Sequence, residues 1–175
     1  LVQLKNEIKS NKSSIGFAYD GDGDRIIVLK SNGDIIWPDQ LMILFSRSIL
    51  KNNKNAKIVY DIKCTKYLEE EIIKNNGIPV LSRTGHSFIK KAMIQEKALL
   101  GGEMSGHIFF ADKWEGFDDG IYASIRLLEI LSNNENYEEI LNDLPVSVTT
   151  PEINIPFSGN NHFTFMDLFA KLTKF

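Results

Sequence analysis

A chain of 175 residues is long enough to bury one good core, with or without pieces of neighbouring domains, and its composition is that of a globular protein. A formal net charge of −3, spread over mixed acidic and basic residues, argues against a general nucleic-acid binder. No apolar run approaches the ~18–20 residues a membrane span needs. LVQLKNEIKS at the start lacks the apolar core of a signal peptide. Cys64 is the single cysteine, which excludes an internal disulfide and suits a reducing, cytoplasmic setting. The first residue is Leu rather than Met, a hint that the sequence belongs to something longer.

In chain order, SIGFAYD (14–20) reads as a short buried strand running into an acidic loop, and RIIVLKS (25–31) as the next strand. Asn32-Gly33-Asp34 is a tight-turn signal, and DIIW (34–37) returns. Pro38 and Asp39 open a helix over 38–52 with apolar residues at helical spacing. KNNKNAK (51–57) is a polar connection. KIVYDIK (57–63) reads as a buried strand, and 65–77 as an amphipathic helix stopped by Asn75-Asn76-Gly77. A strand over 78–83 and a helix over 86–97 come next. ALLGGE and HIFFAD read as strands on either side of a tight Glu-Met-Ser-Gly loop. Asp118 and Asp119 are expected to cap a helix beginning at Gly120, and a short helix runs up to Pro145. From Lys57 to Asn133 the rhythm predicts an α/β fold: a layered, mixed but largely parallel sheet flanked by helices, preceded by an N-terminal hairpin. Residues 146–157 read as a linker, and FTFMDLFAKLTKF begins a further helix.

The stretch AYDGDGDRIIV (18–28) carries the first chemical signal. In an extended loop, residues two apart project to one side, so Asp20, Asp22 and Asp24 can converge. Gly21 and Gly23 let the backbone turn without steric cost. Three hard oxygen donors suit Mg²⁺, whose charge removes the repulsion among them. Arg25 adds a fork that matches a phosphate. An EF-hand fails, because its sixth and twelfth positions would be Arg25 and Ser31 rather than Gly and Glu. A phosphotransferase using Asp20 as nucleophile fits poorly, because Asp24 stands where that pattern has Thr or Val. The remaining competitor is an acidic surface turn, although hairpin turns seldom gather three aspartates on one side.

Three more loops are of the same kind, each placed after a strand, where α/β sheets bind ligands. DIKCT (61–65) presents Lys63. RTGHSFIKK (83–91) places Thr84, Gly85 and His86 at a helix start, whose free N–H groups favour anions. GGEMSGH (101–107) gathers Glu103, Ser105 and His107. Each has a plainer reading: a solvated lysine, a helix cap, turn residues, a strand-end histidine.

Together and in this order, DGDGDR, DIKCT, RTGH and GEMSGH resemble the α-D-phosphohexomutase family, within it the phosphomannomutase/phosphoglucomutase group. The resemblance covers almost the whole chain. It implies four domains around a cleft. An active-site phosphoserine and a hexose 1,6-bisphosphate intermediate would interconvert hexose 1- and 6-phosphates. It implies Mg²⁺ on Asp20, Asp22 and Asp24, Arg25 beside the transferring phosphoryl group, and Glu103 and Ser105 on sugar hydroxyls. His107, His86 and Lys63 would line the same cleft, with Thr84 and Gly85 in the substrate loop. Met104 is similar to the mannose/glucose group, where glucosamine-phosphate mutases have glutamine. Nothing matches the family's Thr-Ala-Ser-His-Asn-Pro nucleophile loop or its phosphate-clamping loop. The expected layout is therefore the end of domain 2 (1–36), domain 3 (37–148) and the start of domain 4 (149–175). On this reading the chain lacks domain 1 and most of domain 4, and is inactive alone. Its metal affinity would be weak. Phe163, Phe165, Phe169 and Phe175 would be exposed on a tail that is mobile or pairs with another copy. The alternatives are a non-catalytic sugar-phosphate-binding module and an aspartyl-phosphate phosphatase using Asp20.

Overall fold

A computed structural model of the chain describes residues 1–146, 153, 155–159 and 161–172. It opens with a helix that hydrophobic patterning did not reveal, α1 (Val2–Asn11), because only Ile8 of its ten residues is buried. Next comes an antiparallel sheet in the order β1-β2-β3: β1 (Ile15–Tyr19), β2 (Ile26–Lys30) and the two-residue β3 (Ile35–Ile36). The acidic loop joins β1 to β2. The turn into β3 is the expected one: Lys30 donates its N–H to the Asp34 carbonyl at 2.8 Å, and the Asn32 side chain accepts from the Asp34 N–H at 2.9 Å.

Helix α2 (Pro38–Leu50) starts at its proline, with the Gln40 side chain accepting from the Trp37 N–H at 3.0 Å. It is buried on nearly every side, as a helix apolar all round must be. Its Leu41, Ile43, Phe45 and Leu50 belong to the cluster that also takes Val28 and Ile36 from the first sheet and Ile58 and Leu100 from the second. This one helix therefore fuses the hairpin to the α/β layers.

The second sheet has the order β5-β4-β6-β7. Strand β4 (Lys57–Asp61) is parallel to β5 (Ile78–Ser82) and to β6 (Leu100–Gly102), while β7 (Ile108–Phe110) runs antiparallel on β6. Alternation along β4 sends Ile58 and Tyr60 into the main core with α2, α3 (Lys66–Lys74) and α5 (Gly120–Ser132). Val59 goes to the opposite face, under α4 (His86–Glu96), with Ile89, Met93 and Phe109. Helices thus cover both faces, the layered α/β arrangement expected from the rhythm of elements. Helix α3 closes with Gly77 N–H on the Ile72 carbonyl at 2.8 Å, and it is Asn76, at φ 61°, that takes the left-handed position.

Beyond α6 (Tyr137–Asn142), most of the 146–157 linker and Phe175 lie outside the described residues. Helix α7 (His162–Leu172) buries none of its residues, and Phe163, Phe165 and Phe169 are about half exposed. No helix among the described residues is long and apolar enough to cross a membrane.

Candidate functional site

The parallel order β5-β4-β6 puts the C-terminal ends of three strands side by side. Their loops are 83–85, 61–65 and 103–107, the three singled out from sequence. Because the strands are neighbours, loops separated by about 20 residues in the chain become adjacent in space.

The 103–107 loop is a tight turn, with the Gly106 N–H on the Glu103 carbonyl and the Glu103 N–H on the His107 carbonyl, both at 3.0 Å. It brings Ser105 Oγ to 2.9 Å from His107 Nδ1, and Glu103 Oε2 to 3.2 Å from the same nitrogen. Glu103 is buried, and its other oxygen accepts a hydrogen bond from the Gly85 N–H at the start of α4. His86 stands beside His107 with ring centroids 5.6 Å apart. Thr84 turns its hydroxyl inward, to Asp61. Lys63 is exposed on the central loop.

The acidic loop arrives from the other sheet. Gly23, at φ 78°, makes its turn, a conformation that side chains seldom adopt. The Ile26 N–H donates to the Gly106 carbonyl at 3.2 Å, and Arg25 and His107 pair as an isolated antiparallel bridge. Carboxylate oxygens of Asp20, Asp22 and Asp24 lie within 4.8 Å of one another, the convergence expected from their spacing. The same closeness holds for Asp24, His107 and Asp118. His107 Nε2 is 3.5 Å from Asp24 Oδ2 and 4.0 Å from Asp118 Oδ2. One histidine thus faces Glu103 and Ser105 of the 103–107 loop through one ring nitrogen and Asp24 of the acidic loop, with Asp118, through the other.

The charges are balanced unevenly. Arg25 directs its Nε to Asp20 Oδ2 at 2.5 Å and lies 3.8 Å from Asp24 Oδ1. The guanidinium holds the Asp20 carboxyl down to about 2. Burial pushes Asp24 up, against the pull of His107. Asp24 Oδ1 is buried with no hydrogen-bond partner. An orphaned carboxylate oxygen beside two further carboxylates fits a hard divalent cation, so the residues present suit Mg²⁺. Asp20 would have to share or give up its contact with Arg25 for all three to ligate.

One expectation needs adjustment. Asp119 alone caps α5, accepting from the Tyr122 N–H at 2.8 Å, whereas Asp118 faces His107. Adjacent aspartates before a helix look alike in sequence, and the strand pairing of Phe109 with Asp118 decides which one points inward. Asp61, beside the more conspicuous Lys63 in DIKCT, is the residue that sequence reasoning missed. The available signal is its place as the last residue of a buried parallel strand.

Residues 37–147 match the family described as phosphoglucomutase/phosphomannomutase, alpha/beta/alpha domain III. The chain is 48% identical over 173 residues to a phosphoglucomutase of Neisseria meningitidis, covering 98% of this chain and 38% of that protein. It is 45% identical over 168 residues to a phosphomannomutase/phosphoglucomutase of Pseudomonas aeruginosa, covering 95% of this chain and 36% of that protein. A crystal structure of a phosphoglucomutase/phosphomannomutase family protein from Burkholderia thailandensis superposes with a TM-score of 0.82 at 45% identity, over 85% of this chain and 32% of that one. The chain therefore spans well under half the length of these relatives.

Proposed function

This chain belongs to the phosphoglucomutase/phosphomannomutase family, and on that premise we propose that it forms the metal- and sugar-recognising part of a phosphohexomutase. The reaction is interconversion of hexose 1-phosphate and 6-phosphate, with glucose or mannose as the sugar. A phosphoserine would give its phosphoryl group to the free hydroxyl, and the 1,6-bisphosphate so formed would return the other phosphate to the serine. The observation that carries this reading is His107. It joins the sugar-type loop to the acidic loop in one site, 3.2 Å from Glu103 and 3.5 Å from Asp24.

Phosphoryl transfer asks the protein mainly for position and charge neutralisation. Asp20, Asp22 and Asp24 would hold Mg²⁺, which when bound supplies positive charge to the transferring phosphoryl oxygens. Arg25 would place its guanidinium at the same oxygens, a role open to it once Asp20 turns to the cation. Lys63 and His86 would line the cleft on the sugar and near the transferred group, with Thr84 and Gly85 in the substrate loop. Ser105 and Glu103 would meet sugar hydroxyls, Glu103 by exchanging one of its internal contacts. His107, braced at Nδ1, is the group placed to hold or move a proton.

The layout that fits best is the end of domain 2 in 1–36, domain 3 in 37–148 and the start of domain 4 in 149–175. The family match over 37–147 supports the central boundary. The serine would come from sequence outside these 175 residues, so the isolated chain is proposed to be inactive. The test is an assay of glucose 1-phosphate and mannose 1-phosphate conversion, with Mg²⁺ and a trace of 1,6-bisphosphate. It uses the product of the uninterrupted reading frame that contains this sequence. Turnover of either sugar supports the proposal, and a folded protein that turns over neither sinks it.

A further inference from the structure

Asp61 ends the central strand β4 and is completely buried. Its carboxylate reaches three loops at once. Oδ2 accepts from the Thr84 hydroxyl at 3.0 Å, in the loop after β5. Oδ1 accepts from the Met104 N–H at 3.3 Å, in the loop after β6. The same oxygen accepts from the Cys64 thiol at 3.1 Å, in the loop after β4 itself. Burial pushes the Cys64 thiol up, so it remains a protonated donor rather than a competing anion. The Asp61 carbonyl accepts from the Cys64 N–H at 3.1 Å.

These partners are not bystanders. Thr84 immediately precedes Gly85 and His86, Met104 lies between Glu103 and Ser105, and Cys64 comes directly after Lys63. A buried carboxylate is an expensive way to end a strand, since each lone pair must be given a donor. An apolar side chain would serve the sheet at lower cost. What an aspartate supplies here is two acceptor oxygens aimed at separate loops. Glu103 links two of the same loops through Gly85, but under the proposed function a sugar hydroxyl would compete for it. Asp61 lies one layer deeper and is shielded from that competition.

We propose that Asp61 is a positioning residue that sets the spacing of the three ligand loops, and through them the affinity for the sugar phosphate. The affinity part rests on the function proposed above; the loop part does not. Removing a group that orders loops for ground and transition state alike raises KM with little change in kcat.

The experiment uses the full reading-frame product with Asp61→Asn, Thr84→Val, the double variant, and Val59→Ala. Val59 is buried on the same strand, facing away under α4, and serves as the control for lost stability alone. Kinetics are measured with glucose 1-phosphate, and amide exchange is followed at Met104 and in 83–86. The expected result is a KM raised on the order of tenfold in Asp61→Asn with kcat within about threefold. That rise corresponds to roughly 1.4 kcal/mol of binding. Met104 exchanges faster, Thr84→Val shows a smaller rise, and the double variant adds little to Asp61→Asn. Val59→Ala lowers the melting temperature while its KM stays within about twofold of the parent, a small effect on the same scale. A KM unchanged in Asp61→Asn, or raised equally by Val59→Ala, overturns the proposal. If Asp61→Asn does not fold, Thr84→Val decides by the same comparison. If the parent turns over no hexose phosphate, the proposed function fails separately, and Met104 exchange alone then decides whether Asp61 orders the loops.

Discussion

Gly120 donates its backbone N–H to the Gly23 carbonyl at 3.0 Å, so helix α5 begins in direct contact with the acidic loop. There is no room for a side chain at that contact. A Cβ on Gly120 would lie 2.7 Å from the Arg25 carbonyl oxygen and 2.9 Å from that of Gly23, both backbone atoms that cannot swing aside. Gly120→Ala is therefore expected to push α5 and the acidic loop apart and to cost about 1–3 kcal/mol. Urea denaturation measures the cost. A variant as stable as the parent would show that the contact yields without strain.

Metal binding provides an independent reading of the same loop. Under the proposed function, Mn²⁺ followed by electron paramagnetic resonance binds at Asp20, Asp22 and Asp24 and is displaced by Mg²⁺. Asp24→Asn removes the carboxylate with the orphaned oxygen and is expected to weaken binding at least tenfold, roughly 1.4 kcal/mol. Equal Mn²⁺ affinity in the variant would rule out Asp24 as a ligand. Chelation with EDTA should abolish turnover in the full protein and leave the fold intact.

Past the end of β7 opposite His107, Arg126 forks onto Asp112 with nitrogen–oxygen distances of 2.7 and 2.8 Å, and its guanidinium lies 4.6 Å over the Phe110 ring. Both side chains are over nine-tenths buried. Asp112→Ala removes the fork and leaves the guanidinium only Glu129, 3.2 Å from its Nε, and is expected to destabilise by about 3 kcal/mol. Asp112→Leu with Arg126→Met removes both charges and should recover most of that loss in chemical denaturation. If the single variant costs no more than the double, the pair is not behaving as a buried ion pair.

Acid stability has a named contributor in Glu71. Arg47 at 2.7 Å, with Lys74 at 2.9 Å, holds its carboxyl below the ordinary value of 4.5. A depressed carboxyl stabilises the fold at neutral pH, and that contribution is lost as pH falls from about 4.5 through the folded-state value. Asp39 has the opposite sign, because burial pushes it up, and it favours the fold as it takes a proton. Comparing the parent with Glu71→Gln cancels Asp39. The difference in melting temperature should be largest near pH 7 and vanish in acid. A difference that does not change with pH would assign the effect to packing.

Much of the site was legible because its parts are local. Asp20, Asp22 and Asp24 converge through a two-residue spacing, and Ser105 meets His107 across one tight turn. The Asn32-Gly33-Asp34 turn, the proline that starts α2 and the alternation of β4 through α5 arise from short-range conformational preference and periodicity. Helix α1 escaped notice for the complementary reason, since a helix that buries one side chain carries little periodic signal.

Other features could be decided only by tertiary structure. The amino-acid sequence alone determined which loops carry carboxylates, imidazoles and cations, and the strands that lead into them. It did not contain the strand order β5-β4-β6-β7, which emerges when α2 packs both sheets into one core. That order places Asp61 within reach of Thr84, 23 positions on, and Met104, 43 positions on. It also turns Asp118 rather than Asp119 toward His107, and lets α5 start against Gly23. Hydrogen bonds between distant residues depend on sub-ångström placement. Such placement comes from burial of the whole core, a property that no short stretch of sequence carries.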